Sequence, residues 1–233
     1  LMPTGAFYGA RQACTPRQLI YHYGDNSICL VNDRPAPGQD LRADIRVYDV
    51  ESRLFLATHL PVPGRDATPT TVWKLPPLHG ISTAYFLSLR LLDATNAELA
   101  RNFYWLSTRP DVLDYQVKVE PWEYYTPSKQ YADLTLLNDL PPAQVEVDCE
   151  RGANGRAVRV RLTNRSDRIA FSIELLLTDE DTGEPLVPVF WQDNYLSLLP
   201  NETRVVSALL GCAARKPILT VRGWNTEPAR LCA

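Results

Sequence analysis

Alternation with a period of two is the feature that most narrows what this chain can become. From Leu41 to Val47 the odd positions Leu41, Ala43, Ile45 and Val47 are apolar, and Arg42, Asp44 and Arg46 between them are charged. Successive side chains on a strand point to opposite faces, so the pattern predicts a strand with one buried and one wet face. Arg156 to Thr163 repeats it, with Val158, Val160 and Leu162 on one side and Arg159, Arg161 and Thr163 on the other. Val145, Val147 and Cys149 alternate with Glu146 and Asp148, and Phe171, Ile173, Leu175 and Leu177 line one face of a further strand. The same reading predicts strands over Gln18 to Tyr23, Ser27 to Asn32, Arg53 to His59, Thr71 to Leu75 and Ala84 to Leu92. It predicts others over Glu98 to Leu106, Glu202 to Leu209 and Ile218 to Gly223.

Turn residues punctuate these runs at Gly24-Asp25-Asn26, Pro35 to Gly38, Pro63-Gly64, Asp93 to Asn96, Gly152 to Gly155 and Asp181 to Gly183. Nineteen prolines fit poorly with a helix-rich chain, and no amphipathic helix longer than two turns is evident. Short strands at near-regular spacing predict an all-β fold, two immunoglobulin-like β-sandwich domains in tandem. The length of 233 residues suits two domains of about 100 residues each. The strands fall into two sets of about seven, and alternation lapses between them. The expected boundaries are a sandwich over 1–107, a connector over 108–142 and a second sandwich over 143–233. The connector holds Pro110, Pro121, Pro127, Pro141 and Pro142 beside Tyr115, Trp122, Tyr124, Tyr125 and Tyr131. That aromatic content predicts an ordered connector packed on both domains rather than a loose tether.

Charge and chemistry exclude several function classes. A net charge of −3 with no Lys/Arg stripe gives nothing to neutralise phosphates, so no nucleic-acid partner is expected. No apolar run approaches the roughly 18 residues of a membrane span, so no membrane partner is expected either. The start, Leu1 to Ala10, reads as mid-chain sequence rather than a signal peptide. Cys14, Cys29, Cys149, Cys212 and Cys232 lack C-x-x-C spacing, which argues against zinc; a Cys149–Cys212 bridge and buried free thiols both stay open. His22, His59 and His79 have no metal-ligand spacing, and the second half contains no histidine, so no Ser-His-Asp triad can form there. Phosphate loops and H-E-x-x-H are missing. Asp179 to Glu184 departs from the order of an EF-hand and suits a solvated hairpin turn. No catalytic residue, metal ligand or cofactor is therefore expected.

Aromatic residues offer the remaining candidates, because an apolar ring face suits the C–H face of a pyranose. Trp122, Tyr124 and Tyr125 cluster in the connector, and Trp191 and Tyr195 flank Gln192-Asp193-Asn194. Trp122, Tyr124, Tyr125 and Trp191 are the candidate substrate-binding residues, with packing at an interface or sandwich corner as the alternative for each. Asn164-Arg165-Ser166 and Asn201-Glu202-Thr203 fit the N-glycosylation pattern and equally make strand-end turns.

Several stretches are more specific than composition. Thr4-Gly5-Ala6-Phe7-Tyr8-Gly9-Ala10-Arg11-Gln12-Ala13-Cys14 resembles the segment that leaves the catalytic barrel in glycoside hydrolase family 2 enzymes of the exo-β-D-glucosaminidase and endo-β-mannosidase branch. Leu99 to Leu106 looks like the last strand of the fourth domain in that branch, and Trp122 to Leu134 is similar to the connector of exo-β-D-glucosaminidases. Phe190 to Tyr195, followed by Leu198-Leu199-Pro200-Asn201-Glu202, resembles the F-x-D-N-Y…L-L-P-G-E pattern of the terminal immunoglobulin-like domain. Asn201 stands where glycine is usual, a tolerable exchange because Asn also accepts φ > 0. Gly223-Trp224-Asn225 matches the closing strand. The resemblance implies the fourth and fifth domains of a retaining β-glycosidase whose two carboxylates sit on a (β/α)₈ barrel of the same polypeptide. It implies an oligosaccharide substrate met through that parent enzyme, and a secreted or periplasmic location. A stand-alone carbohydrate-binding module or a cell-surface adhesion module is the alternative.

Overall fold

The computed structural model describes residues 2–34, 40–63, 68–153, 155–212 and 217–232. The turns expected at 35–38, at Gly64 and at Asn154 lie outside the described residues. The chain divides into two compact units, Thr15–Leu140 and a second made of Leu1–Cys14 with Pro141–Ala233.

The N-terminal unit has seven main strands among its described residues. These are β1 (Arg17–His22), β2 (Ser27–Asn32), β3 (Asp40–Asp49), β4 (Leu54–Pro63), β5 (Thr70–Lys74), β6 (Ala84–Leu92) and β7 (Glu98–Ser107). They form a three-stranded sheet in the order β1-β2-β5 and a four-stranded sheet in the order β4-β3-β6-β7, with antiparallel pairing throughout. The alternation read in the sequence sets the core: Leu41, Ala43, Ile45 and Val47 of β3 meet Leu19, Ile28 and Leu30, all essentially without exposure. The expected wet face of β3 is drier than the sequence suggests. Asp44 is only 5% exposed, because Arg46 Nε (2.9 Å) and His59 Nδ1 (3.4 Å) approach its carboxylate from the same face.

The connector is ordered. Two short strands, β8 (Val112–Leu113) and β9 (Ser128–Gln130), pair as a ribbon, and Thr135–Asp139 makes a 3₁₀ turn that buries Leu137. Ser107 Oγ donates to the Asp133 carbonyl (2.9 Å), and Arg109 Nη1 pairs with the Asp133 carboxylate (3.2 Å), fixing the segment to the end of β7. Its residues as far as Leu140 belong to the N-terminal unit.

The C-terminal unit carries β10 (Val145–Arg151), β11 (Ala157–Asn164), β12 (Ala170–Asp179), β13 (Val189–Trp191), β14 (Leu196–Leu198), β15 (Thr203–Leu210), β16 (Pro217–Arg222) and β17 (Ala229–Cys232). Its sheets run β10-β11-β15-β13 and β14-β12-β16-β17. The two inner faces interleave Val158, Val160 and Leu162 with Ile173, Leu175, Leu177, Leu219 and Val221. Among its described residues the unit thus has eight strands rather than about seven. β13, β14 and β17 are three or four residues long, too short for alternation to reveal them.

One element differs in kind from the expectation. Gly5–Ala13 is an α-helix, α1, and it belongs to the C-terminal unit rather than to the first sandwich. Tyr8 lies in the C-terminal core at 4% exposure, and Arg11 Nη1 donates to the Trp191 carbonyl (2.7 Å). A nine-residue helix that buries one side chain leaves no amphipathic stripe to read, and Gly5 and Gly9 lower its intrinsic propensity. All five cysteines are free thiols, so the Cys149–Cys212 bridge does not form; Cys212 is exposed, and burial pushes the half-buried Cys149 thiol up.

Candidate functional site

The polar residues that carried the family resemblance are built into the C-terminal sandwich. The Asn194 side chain accepts from the Leu175 N–H (2.7 Å) and donates to the Leu175 carbonyl (2.9 Å). It therefore stands in for a strand partner beside β12, two residues past the β12–β14 pair at Ile173. Asn164 is fully buried and donates to the carbonyls of Arg168 (2.6 Å), Leu198 (3.2 Å) and Leu199 (3.0 Å). Asn225 Oδ1 accepts from the Phe171 N–H (2.9 Å), and its Nδ2 donates to the Pro141 and Ile169 carbonyls (2.7 and 2.9 Å). Each amide satisfies backbone groups that burial would otherwise strand. Asn201 adopts φ +60°, the left-handed conformation expected of it, and Glu202 Oε2 accepts from the Leu199 N–H (2.8 Å) to close that turn. Of the two glycosylation patterns, the fold closes the one at Asn164 and leaves the Asn201 side exposed.

Trp191 follows the packing alternative. Its ring is 5% exposed within the core cluster, so it presents no face to a sugar. Tyr195 donates to Glu174 Oε1 (2.9 Å), and Glu174 also pairs with Arg222; its hydroxyl pKa is raised, first by burial and then by that carboxylate. Asp179 Oδ1 accepts from the Asp181 and Thr182 N–H groups (3.1 and 3.0 Å), which is the hairpin turn expected of that acidic stretch. No cluster of three or more His, Cys, Asp or Glu side chains suited to a metal occurs among the described residues.

The connector candidates stand in the open. Trp122 is 71% exposed, Tyr124 94% and Tyr125 59%. A turn closed by the Glu123 N–H to the Glu120 carbonyl (2.8 Å) and by the Glu120 N–H to Glu123 Oε2 (2.9 Å) holds Trp122 outward. No ring stacking joins the three among the described residues, so they share a segment without forming an aromatic clamp.

A second feature escaped the sequence reading. Within the N-terminal unit, a cleft of about 900 Å³ opens between the ends of β1, β6 and β7 and the connector. Tyr21 and Tyr85 form part of its wall at 6% exposure each, while Tyr23 and Trp105 stand half to mostly exposed at its rim. Tyr21 donates to Asn26 Oδ1 (2.5 Å), Tyr85 hydrogen-bonds to Tyr21, and the Tyr21 N–H donates to the Tyr104 hydroxyl (3.2 Å). Burial raises the pKa of Tyr21, Tyr85 and Tyr104, so all three stay neutral and keep their hydroxyl protons. Burial raises Tyr23 as well, and the nearby Asp111 carboxylate adds to it. Tyr21, Tyr23 and Tyr104 also pack ring to ring, with centroids 5.1 to 6.4 Å apart. Tyr21, Tyr85 and Tyr104 lie more than 60 residues apart at their extremes, and only the strand order brings them together.

Residues 123–226 match the model of the exo-β-D-glucosaminidase Ig-fold domain. The C-terminal sandwich is similar to that Ig-fold domain. The match begins in the connector and ends after Asn225, so it spans the Ig-fold residues that the polar asparagines stitch together. Beyond this domain, the chain is 35% identical over 233 aligned residues to an exo-β-D-glucosaminidase of Streptomyces avermitilis, covering 95% of this chain and 25% of that one. It is 33% identical to the Amycolatopsis orientalis exo-β-D-glucosaminidase, covering 95% of this chain and 22% of the relative. A mannosylglycoprotein endo-β-mannosidase of Lilium longiflorum is 23% identical over 269 residues. Among solved structures, the exo-chitosanase of Amycolatopsis orientalis superposes with a TM-score of 0.83 at 30% identity, over 98% of this chain and 28% of that one. The chain thus spans about a quarter of the length of the relatives it matches.

Proposed function

We propose that this chain is the non-catalytic C-terminal accessory region of a retaining β-glycosidase. The parent enzyme removes β-linked glucosamine units from chitosan-type oligosaccharides, and a β-mannosidase type is the second choice. The observation that carries this reading is the nearly end-to-end alignment of two sandwiches and connector with one quarter of several exo-β-D-glucosaminidases. The polar groups of the Ig-fold domain hold its own backbone, which suits a supporting role. In the parent, the two sandwiches buttress a (β/α)₈ barrel on the same polypeptide, and the exposed Trp122, Tyr124 and Tyr125 supply a surface for that barrel or for the rim of its substrate cleft. The same reading carries a secreted or periplasmic setting.

The test is to read the complete native open reading frame and express its product. A barrel with two acidic residues at strand ends, upstream of residue 1, supports the proposal. Further sandwiches with no barrel would overturn it and favour an adhesion module.

A further inference from the structure

We infer that the C-terminal sandwich carries a receptor groove for helix α1, so that this Ig-fold domain is discontinuous and incomplete without residues 4–13. Those residues lie outside 123–226, the stretch that matches the family model. The inference stands whether or not the glycosidase reading does. The groove lies on the side where both sheets end. β13 is the edge strand of β10-β11-β15-β13, and β14 is the edge strand of β14-β12-β16-β17. Each is only three residues long, so strands alone close this side of the sandwich poorly. A sheet edge leaves backbone groups unpaired, and a helix laid over it is one of the ways proteins cover them. Arg11 does so on β13, where its Nη1 donates to the Trp191 carbonyl (2.7 Å).

The groove selects its occupant by shape and by one polar contact. The Tyr8 ring is buried among the core residues, 6.1 Å between centroids from Tyr195, and its hydroxyl hydrogen-bonds to Asn194. Asn194 thus serves the Leu175 backbone and the helix at once. A β-carbon on Gly5 would sit 3.4 Å from the Tyr195 ring, so the first turn of α1 lies tightly against it. The fit is for an aromatic hydroxyl followed, three residues on, by a guanidinium. The helix in turn depends on the groove. A nine-residue helix with two glycines is too short to hold itself in water, and Tyr8 is its one buried residue. Two chain crossings, after Cys14 and after Leu140, join the units, and Thr15–Leu140 is an insertion within the C-terminal domain.

Denaturant unfolding of the 233-residue chain, followed at the methyl resonances of Leu219 in the C-terminal core and Leu30 in the N-terminal one, tests this. Tyr8→Ala should lower the folding equilibrium read at Leu219 by at least about a hundredfold, as loss of a buried ring does. Tyr8→Phe keeps the ring and removes only the Asn194 hydrogen bond, and should lower it by roughly fivefold. Gly9→Ala tests the same contact in the opposite direction. Gly9 is exposed and its β-carbon would meet nothing within 4 Å, so alanine adds helix propensity without a clash. That change should raise the Leu219 equilibrium by about fourfold. The Leu30 transition should hold within about twofold in all three variants, because well-separated sites act independently. Loss of the Leu219 signals in Tyr8→Ala with Leu30 still folded supports the inference in its strongest form. A Leu219 transition unmoved by Tyr8→Phe and Gly9→Ala, or equal shifts at Leu30 and Leu219, would overturn it.

Discussion

The two sandwiches use their polar residues differently. In the C-terminal unit, Asn164, Asn194 and Asn225 turn inward and complete the hydrogen bonding of neighbouring strands, and the surrounding motif residues close turns. In the N-terminal unit, Tyr21, Tyr23 and Tyr85 line an open cleft, and Tyr104 packs against Tyr21 and Tyr23. A recognisable motif therefore marks architecture in one unit, while the other unit forms a cleft with no motif at all. Sequence similarity concentrates where the backbone demands one side chain, which need not be where a ligand binds.

The contrast can be broken by substitution. Trp191→Ala should have the largest effect, a loss of about 3–5 kcal/mol, because it removes a buried indole from the C-terminal core. Denaturant unfolding checks it, and a loss below about 1 kcal/mol would show that the ring is not core. Asn194→Ala should cost about 2–4 kcal/mol, since it strands both the N–H and the carbonyl of Leu175 in a buried setting. The same change in a merely decorative loop residue would cost under about 0.5 kcal/mol.

Alkaline pH should separate the units. Tyr21, Tyr23, Tyr85 and Tyr104 all have raised pKa values in the N-terminal unit, against Tyr8 and Tyr195 in the C-terminal one. A group whose folded pKa is raised contributes stability that is intact below its unfolded value, about 10 for tyrosine, and is lost as pH rises through the folded value. The N-terminal sandwich should therefore lose more stability above that pH. Urea melts followed by methyl resonances of Leu30 and Leu219 read the two units apart, and equal losses would contradict the contrast. The smallest effect on stability belongs to Trp122→Ala, within about 0.5 kcal/mol because the ring is exposed. In the full-length enzyme the same change should raise KM more than it lowers kcat, as loss of uniform binding does.

How much of this was legible in the sequence varied with the length scale of the signal. β2 and β6 coincide with their predicted spans, and β3, β11 and β12 lie within a few residues of theirs, because an alternating run of six or more residues reports its own burial. Asn201 was readable too, since its left-handed backbone is a local property. Strand β14 was not, because three residues carry no period. Helix α1 was not, because its one buried residue, Tyr8, packs against residues more than 130 positions away. Trp191 and Trp122 look alike as candidates, yet one is core and the other open; only strand pairing, through Trp191↔Ala208, separates them. The tyrosine cleft depended on strand order, which no local pattern encodes.

As proposed above, this chain accompanies a β-glucosaminide-cleaving barrel and does not itself cleave. The most direct measurement assays a chromogenic β-D-glucosaminide with the product of the complete reading frame and with the 233-residue chain side by side. The account predicts turnover by the complete product with retention of anomeric configuration, and none by the chain alone. Turnover by the isolated chain would contradict it.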